Sequence, residues 1–101
     1  MEPKVRDNLD GHRYEIVVDG VVAGFVDYSL KGSTLTLIHT EIDDAFEGKG
    51  YAGQLVGRTL DAVARRGLSI DPQCSYVQGF LRKYPDYQSL VADGAAHGTT
   101  E

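Results

Sequence analysis

The first half of the chain alternates apolar and polar residues with the two-residue period of β-strands. Within "RYEIVV", the side chains of Tyr14, Ile16 and Val18 fall on one face. The turn signal "DG" follows, and a second turn signal around Gly32 separates two longer apolar runs. The pattern predicts an antiparallel meander of three strands, at Arg13–Val18, residues 21–28 and Thr34–Ile42, with a short edge strand before them at Lys4–Asn8.

The period changes to that of an α-helix after residue 50. Apolar residues now recur at intervals of three and four, at Ala52, Leu55, Val56, Leu60 and Val63. Arg65 and Arg66 complement the negative end of a helix dipole, and Gly67 suits the position just after a helix end. The first helix is therefore predicted to end at Gly67.

A short strand at residues 68–70 and a second helix at residues 75–84 complete the pattern. Pro72 removes a backbone donor and limits the strand, and Pro85 ends the helix. The order β-β-β-α-β-α predicts the α/β (α+β) class, with a compact mixed sheet and two helices in one domain over residues 1–91. The last segment, residues 92–101, is small and polar, which is typical of a disordered tail.

Charge and cysteine content narrow the classes of partner. The 101 residues carry a formal net charge of -5, which argues against binding nucleic acid or an anionic membrane through charge. The single cysteine, Cys74, excludes an internal disulfide and a multi-cysteine zinc cluster, and we expect no metal cofactor. No apolar run occupies the N-terminus, so we expect neither a signal peptide nor a membrane anchor and interpret the protein as cytoplasmic.

The segment "AFEGKGYAGQL", residues 45–55, leads directly into the first predicted helix. The first turn of a helix has backbone N–H groups without intrahelical partners, and glycines let an anion approach them. The segment is not a P-loop, because Asp43 and Gly50 stand where that motif needs Gly and Ser or Thr. It is not a dinucleotide fingerprint, since an antiparallel meander precedes it. Spacing alone leaves two interpretations, an anion cradle and a flexible turn into a core helix.

This segment resembles the pyrophosphate-binding motif of the GNAT superfamily of acetyl-CoA-dependent N-acetyltransferases. That motif reads Gln or Arg, two residues, Gly, one residue, then Gly or Ala, and its last two positions here hold Gly50 and Ala52. Glu47 stands in place of the usual Gln or Arg. "HTEI" before the segment and "GLSIDPQCSYVQGFLRKYPDYQSLV" after it are similar to the small, single-domain GNAT-like group of about this length, across residues 13–91.

The resemblance implies a site for acetyl-CoA or coenzyme A and an acyltransferase (N-acetyltransferase) activity without a metal. Pyrophosphate would lie at the start of the first helix, and pantetheine between the strands at residues 35–42 and 68–70. The implied cofactor-binding residues are Ile42, Glu47, Gly48, Lys49, Gly50, Tyr51, Ala52, Gly53 and Tyr76. Because Glu47 departs from the motif, we expect the backbone of residues 48–53 to supply the binding.

Acetyl transfer to an amine needs a deprotonated amine, a stabilised oxyanion and a proton for the departing thiolate. Glu41 is the first candidate for a base or water-holder and His39 the second, because they share a face where the strand approaches the glycine segment. The alternative for both is a polar strand end that faces solvent. Cys74 is predicted at the start of the second helix, where the dipole favours a thiolate that would carry the acetyl group in a two-step route. Otherwise it is a small buried hydrophobe.

The second predicted helix adds further candidates. Tyr76 and Tyr84 offer hydroxyls that would donate a proton to the leaving thiolate, unless they only pack their rings and expose their hydroxyls. Arg82 and Lys83 would reach a nucleotide phosphate, unless they remain solvated.

Two functions are compatible with the sequence. The first is transfer of an acetyl group from acetyl-CoA to an amine of a protein, peptide or small molecule, and the acidic balance suits a polyamine as well as a protein. The alternative is a non-catalytic module that binds CoA or another protein.

Overall fold

Five strands form one sheet in the order β1-β2-β3-β4-β5, and the computed structural model describes residues 2–92. The strands are β1 (Lys4–Asn8), β2 (Arg13–Val18), β3 (Val21–Lys31), β4 (Thr34–Ile42) and β5 (Ser69–Pro72). The helices are α1 (Tyr51–Arg65) and α2 (Ser75–Lys83), with 3-10 helices at Asp44–Phe46 and Pro85–Leu90. The predicted class, a mixed sheet with two main helices, is confirmed. Four strands precede α1, because the predicted short edge strand, β1, is formed in addition to the three strands of the meander.

The antiparallel half of the sheet follows the predicted turns. Between β2 and β3, Asp19 and Gly20 have φ values of 51° and 79°, as the two-residue type I′ turn requires. β3 continues to Lys31, beyond the predicted end at residue 28. The extension is possible because the turn into β4 occupies only Gly32 and Ser33, with φ 61° at Gly32.

β5 pairs in parallel with only the first part of β4. The last pair is Leu37 with Pro72, and the N–H groups of Gln73 and Cys74 then donate to the Leu37 carbonyl at 3.0 and 2.9 Å. β5 therefore extends past its predicted end at residue 70. Pro72 has no backbone N–H, but it is the last residue of the strand, so the pairing before it is not interrupted.

A bulge interrupts β4 directly after the last pair with β5. Asp27 of β3 pairs with His39, whereas Tyr28 pairs with Leu37, so Ile38 is the extra residue. From there β4 runs on to Ile42, and within residues 2–92 it is paired on its β3 side only. The sheet therefore opens between the end of β4 and the start of α2.

α1 buries the predicted apolar stripe apart from Ala52, which is half-buried. Its buried residues are Leu55, Val56, Thr59, Leu60 and Val63. Gly67, with φ 70°, follows the helix and donates its N–H to the Ala64 carbonyl at 3.1 Å. Leu68 donates to the Val63 carbonyl at 3.1 Å, which completes a Schellman motif. The predicted helix end at Gly67 is confirmed.

α2 begins after Cys74, its N-cap residue, and ends at Lys83. The helix is one residue shorter than predicted, because Tyr84 precedes Pro85 and has left the helical conformation, with φ -124° and ψ 75°. Pro85 then opens the 3-10 helix Pro85–Leu90. Of the predicted tail, Ala92 donates its N–H to the Ile70 carbonyl at 2.8 Å, and residues 93–101 lie outside the described residues.

The core lies between the sheet and the two helices. Side chains from every layer meet there, including Ile16, Leu35 and Leu37 of the sheet, Leu55 and Leu60 of α1, and Val77 and Leu81 of α2. The other face of the sheet mixes charged and polar side chains such as Glu15 and Asp27 with apolar ones such as Val17 and Phe25. No helix of the described chain is long and apolar enough to cross a membrane.

Candidate functional site

The glycine segment forms the loop between the 3-10 helix Asp44–Phe46 and α1. Gly48 and Gly50 have φ values of 80° and 79°, which side chains with a Cβ rarely adopt. A Cβ added at either glycine would meet no atom within 4 Å, so the loop is open. Gly50 is the N-cap of α1 and provides no side-chain hydrogen bond to the helix. The N–H groups of the first turn are therefore left for a ligand.

The loop opens onto a groove of about 460 Å³, here called the loop groove. Its lining residues come from the end of β4, the glycine loop and the starts of both helices: Thr40, Ile42, Phe46, Glu47, Gly48, Gly50, Tyr51, Ala52, Gly53 and Tyr76. The rings of Phe46 and Tyr51 pack with centroids 6.1 Å apart and form part of one wall. The predicted cofactor-binding residues thus lie together here, apart from Lys49, which is exposed outside the lining.

The edge of β4 beyond Leu37 borders the loop groove. The N–H of Asp43 donates to the Ala23 carbonyl on the β3 side at 2.8 Å. Because the backbone groups of successive strand residues point to opposite edges, those of Thr40 and Ile42 point away from β3, toward the opening of the sheet. An extended ligand chain with amide groups can therefore hydrogen-bond along this edge.

Cys74 lies next to the loop groove: it contacts Thr40, which lines the groove. Its side chain is buried, with 6% exposed, and its Sγ lies 3.2 Å from Thr40 Oγ1, within hydrogen-bond reach. The thiol makes no capping hydrogen bond to α2. The predicted position at the start of the second helix is confirmed, and the predicted catalytic role stays a prediction.

His39 and Glu41 share a strand face, as predicted, with His39 Nε2 3.2 Å from Glu41 Oε1. Thr40 and Ile42 point to the helices, so the residues between them point to the opposite face. There Glu41 lines a separate cavity of about 280 Å³ with residues of β2 and β3. The structure therefore does not bring these two side chains into the loop groove, and their role as base stays a prediction.

A second groove, about 570 Å³ and here called the helix groove, continues from the glycine loop between α1 and α2. It shares Gly50, Gly53 and Tyr76 with the loop groove, and α2 and its C-cap supply the rest of its lining: Ser75, Gly79, Phe80, Lys83 and Tyr84. Burial raises the pKa of Tyr76, and the neighbouring Tyr84 raises it further. The Tyr76 phenol therefore stays protonated at neutral pH.

Comparison with known proteins identifies the family to which this protein belongs. Residues 13–90 match the model of the family described as GCN5-related N-acetyl-transferase. The chain belongs to the GCN5-related N-acetyltransferase family. The resemblance to the GNAT superfamily that the glycine segment indicated is thereby confirmed.

The relatives of this GCN5-related chain include proteins named NATD1. It is 37% identical over 57 residues to NATD1 of Xenopus tropicalis, an alignment that covers 56% of this chain and 52% of that protein. It is 39% identical over 54 residues to NATD1 of Bos taurus, covering 54% and 48%. The chain therefore spans about half the length of the curated relatives it matches.

Solved structures of GCN5-related proteins share the fold. A GCN5-like protein from Staphylococcus aureus superposes with a TM-score of 0.65 at 17% identity, covering 95% of this chain and 96% of the other. A ribosomal-protein-S18-alanine N-acetyltransferase from Escherichia coli superposes at 0.61 and 14% identity, covering 71% and 50%. At these identities the likeness establishes the fold alone.

Two residues of the loop groove were missed by the sequence analysis. Thr40 lies in the loop groove and contacts Cys74. It is two residues from Ile42, so the alternation of strand side chains could have placed both on the same face. Phe46 lines the same groove because a 3-10 helix positions it, and the sequence analysis predicted no such helix. That helix is capped by Asp43, whose carboxylate accepts the Ala45 N–H at 3.0 Å.

Proposed function

We propose that this protein is an acetyl-CoA-dependent N-acetyltransferase whose acceptor is an amine of a protein, peptide or small molecule. The observation that carries the proposal is the open loop of residues 48–53, which presents an uncapped helix start beside the edge of β4 that has no partner strand within residues 2–92. Membership of the GCN5-related family supports it. Net negative charge elsewhere does not oppose anion binding here, because backbone N–H groups act at short range.

The residues present fit coenzyme A. The N–H groups of Tyr51, Ala52 and Gly53 lie in the first turn of α1 and would hold the pyrophosphate. The backbone of Thr40 and Ile42 would pair with the amides of the pantetheine arm. Glu47 lines the loop groove with a carboxylate that repels phosphate oxygens, so the backbone would supply this binding.

The bound coenzyme would supply an acetyl thioester, and the protein would position an amine against it. In the direct route the amine nitrogen attacks the carbonyl carbon, the C–S bond breaks, the amine loses a proton and the thiolate gains one. The protonated phenol of Tyr76 is our candidate for that donor. His39 and Glu41 are proposed to accept the amine proton from the opposite face of the sheet, directly or through water.

A two-step route would use Cys74, with Thr40 donating a hydrogen bond to its thiolate. The sulfur would take the acetyl group as the thiolate of CoA leaves, and would then pass it to the amine. Intact-mass measurement after mixing with acetyl-CoA distinguishes the routes. An acetyl adduct that is lost in Cys74→Ala supports the two-step route, and product formation by Cys74→Ala at the wild-type rate excludes it.

Thermal unfolding with acetyl-CoA tests the binding half of the proposal. At a hundred times the dissociation constant a ligand stabilises the fold by about 2.7 kcal/mol, a rise on the order of 10 °C in Tm for a domain of this size. We expect Gly53→Val to lose this shift, because its side chain enters the space between α1 and Tyr76. Valine is no less favourable than glycine in a helix interior, so we expect the variant to fold.

The matched control is Ala64→Val, the same kind of enlargement at an exposed position of α1. It should keep the full acetyl-CoA shift. A wild-type protein whose Tm does not respond to millimolar acetyl-CoA would rule the proposed function out.

A further inference from the structure

A third groove lies between the edge strand β1 and α1, and among residues 2–92 it shares no lining residue with the loop groove or the helix groove. It has a volume of about 420 Å³ and is here called the edge groove. The half-buried Val5 and Ala62 and the buried Tyr14 form the apolar part of its lining. The proposed function places neither the coenzyme nor the amine here, so the edge groove is open to another ligand.

Two contacts join α1 to the start of the chain and set the length of the edge groove. At one end Arg58 Nη1 donates to the Pro3 carbonyl at 2.8 Å, and at the other Arg66 Nη1 lies 3.5 Å from Asp7 Oδ2. A helix advances about 12 Å from residue 58 to residue 66, and an extended chain advances about 13 Å from residue 3 to residue 7. The two elements therefore run side by side in the same direction. A ligand that fills this length matches roughly four residues of extended peptide, whereas a single phosphate or carboxylate group is much shorter.

Positive charge dominates the exposed part of the lining. Lys4 of β1 and Arg58 and Arg65 of α1 line the groove, and all three are exposed. Within residues 2–92, none of them forms an ion pair with a carboxylate. A chain with a formal net charge of -5 thus has a locally positive groove.

Asp61 also lines the edge groove, and its carboxylate is already engaged. It lies one turn before Arg65 in α1, a spacing at which Asp and Arg can pair. Instead, Asp61 Oδ1 accepts a hydrogen bond from the Tyr87 hydroxyl at 2.8 Å. Because Tyr87 belongs to the 3-10 helix Pro85–Leu90, contact of that helix with α1 leaves the Arg65 guanidinium available to a ligand.

The backbone of β1 can hydrogen-bond a peptide. β1 is the first strand in the sheet order, and within residues 2–92 no strand pairs with its edge away from β2. N–H and C=O groups of alternate residues point to such an edge, which is where extended peptides add to sheets. The edge therefore favours an extended peptide over a small anion, and the three cations favour carboxylate side chains on that peptide.

We propose that the edge groove binds an acidic segment of a partner protein, extended alongside β1, with its carboxylates at Lys4, Arg58 and Arg65. Arginine clusters recognise acidic motifs in this way, through charge-assisted hydrogen bonds. The inference does not rest on the proposed function, because the edge groove and the loop groove have no lining residue in common among those described.

Fluorescence polarisation with two labelled and blocked peptides, pentaglutamate and pentaglutamine, tests the proposal. The peptides have the same length and backbone, and only the first has charged side chains. We expect the wild type to bind pentaglutamate roughly tenfold more tightly at low salt, because each exposed ion pair contributes about a factor of two to three. High salt should reduce this preference, since it screens exposed charges.

Arg65→Ala should bind pentaglutamate about threefold more weakly than the wild type. Within residues 2–92 the Arg65 side chain forms no hydrogen bond or ion pair, so we expect this variant to fold. The triple change Lys4→Ala, Arg58→Ala and Arg65→Ala should abolish the preference for pentaglutamate. The matched control Lys31→Ala removes an exposed charge at the turn between β3 and β4 and should keep the full preference.

Equal affinity of the wild type for the two peptides would overturn the inference and leave the proposed function standing. A preference that Arg65→Ala and the triple variant both retain in full would refute the assignment to the edge groove, as would displacement of pentaglutamate by saturating acetyl-CoA. Displacement by an equal concentration of inorganic phosphate would refute the choice of a peptide as the ligand. A protein that binds pentaglutamate and not acetyl-CoA would contradict the proposed function and leave this inference intact.

Discussion

At the scale of single residues, Glu15 stabilises the face of the sheet that points away from the helices. Its side chain is 2% exposed although it points away from the helices. Arg6 Nε and Asn8 Nδ2 donate to it at 3.0 and 2.9 Å, and Arg13 Nε donates at 2.9 Å. Burial alone would raise its pKa, but hydrogen bonds from these three partners outweigh burial and lower the pKa from the ordinary 4.5. The carboxylate thus joins β1 and β2.

We predict that Glu15→Gln lowers the free energy of unfolding by roughly 1–3 kcal/mol at pH 7, because it weakens a buried charged network. A lowered pKa in the folded protein means that the ionised carboxylate stabilises the fold above about pH 4.5 and stops doing so as the pH falls through the folded pKa. Urea unfolding from pH 7 to pH 3 should therefore show the difference between wild type and variant shrinking below about pH 4.5.

Asp10→Asn, in the exposed turn between β1 and β2, removes the same charge and should change stability by less than about 0.5 kcal/mol. A difference between wild type and Glu15→Gln that stays constant down to pH 3 would contradict the account of Glu15.

The sequence named the candidate catalytic residues and could not tell which side of the sheet they occupy. Leu37 points into the core, and strict alternation would place His39 beside it. The bulge inserts Ile38, so Ile38 and His39 both face solvent and Thr40 turns inward to Cys74. A bulge depends on pairing with β3, and no local feature of the β4 sequence marks it.

At the scale of elements, the position of the β4 end depends on a close approach to β3. Gly24 pairs with Ile42, and a Cβ on Gly24 would collide with the Ile42 side chain and lie 2.6 Å from the Glu41 carbonyl oxygen. Only glycine leaves room for the strand that carries Thr40 and Ile42 to the loop groove.

We predict that Gly24→Ala costs roughly 1–3 kcal/mol of unfolding free energy, because backbone atoms must move to admit the methyl group. Gly57→Ala in α1 is the matched control, since its Cβ would make ordinary contact with Phe80 at 3.5 Å. That change should stabilise the protein by about 0.5–1 kcal/mol, as alanine favours a helix interior. Chemical denaturation of both variants measures the contrast, and equal stabilities would refute it.

The helices and the hairpin strands could be predicted because their signals are local. The stripe from Leu55 to Val63 and the Asp19-Gly20 turn act over a few residues. The ends of β3 and β5 could not be predicted, because pairing with β4 sets each of them. For β5, that neighbour is distant in the sequence. The glycine loop was predictable as a motif, and its link to the helix groove needed the packing of α2 on α1.

At the scale of the whole molecule, the proposed coenzyme path occupies only one face of the sheet. The loop groove and the helix groove lie on the helix side and meet at the start of α1, while His39 and Glu41 lie on the opposite face. Beyond Leu37, β4 has no partner strand on its β5 side within residues 2–92, and Thr40 Oγ1 lies 3.2 Å from Cys74 Sγ at the start of α2. We propose that the acceptor amine approaches past this end of β4 from the face that carries His39 and Glu41, so that it does not compete with the coenzyme.

The most direct measurement is amine-dependent acetyl transfer. The wild-type protein is incubated with acetyl-CoA and, in turn, spermidine, a peptide with a free N-terminus and a lysine-containing peptide, and both CoA and acetylated amine are quantified by mass spectrometry. The account predicts that at least one amine accelerates CoA release, with an equal amount of acetylated amine, and that Gly53→Val abolishes both. Tight binding of acetyl-CoA with no amine-dependent release would contradict it and favour a non-catalytic CoA-binding module.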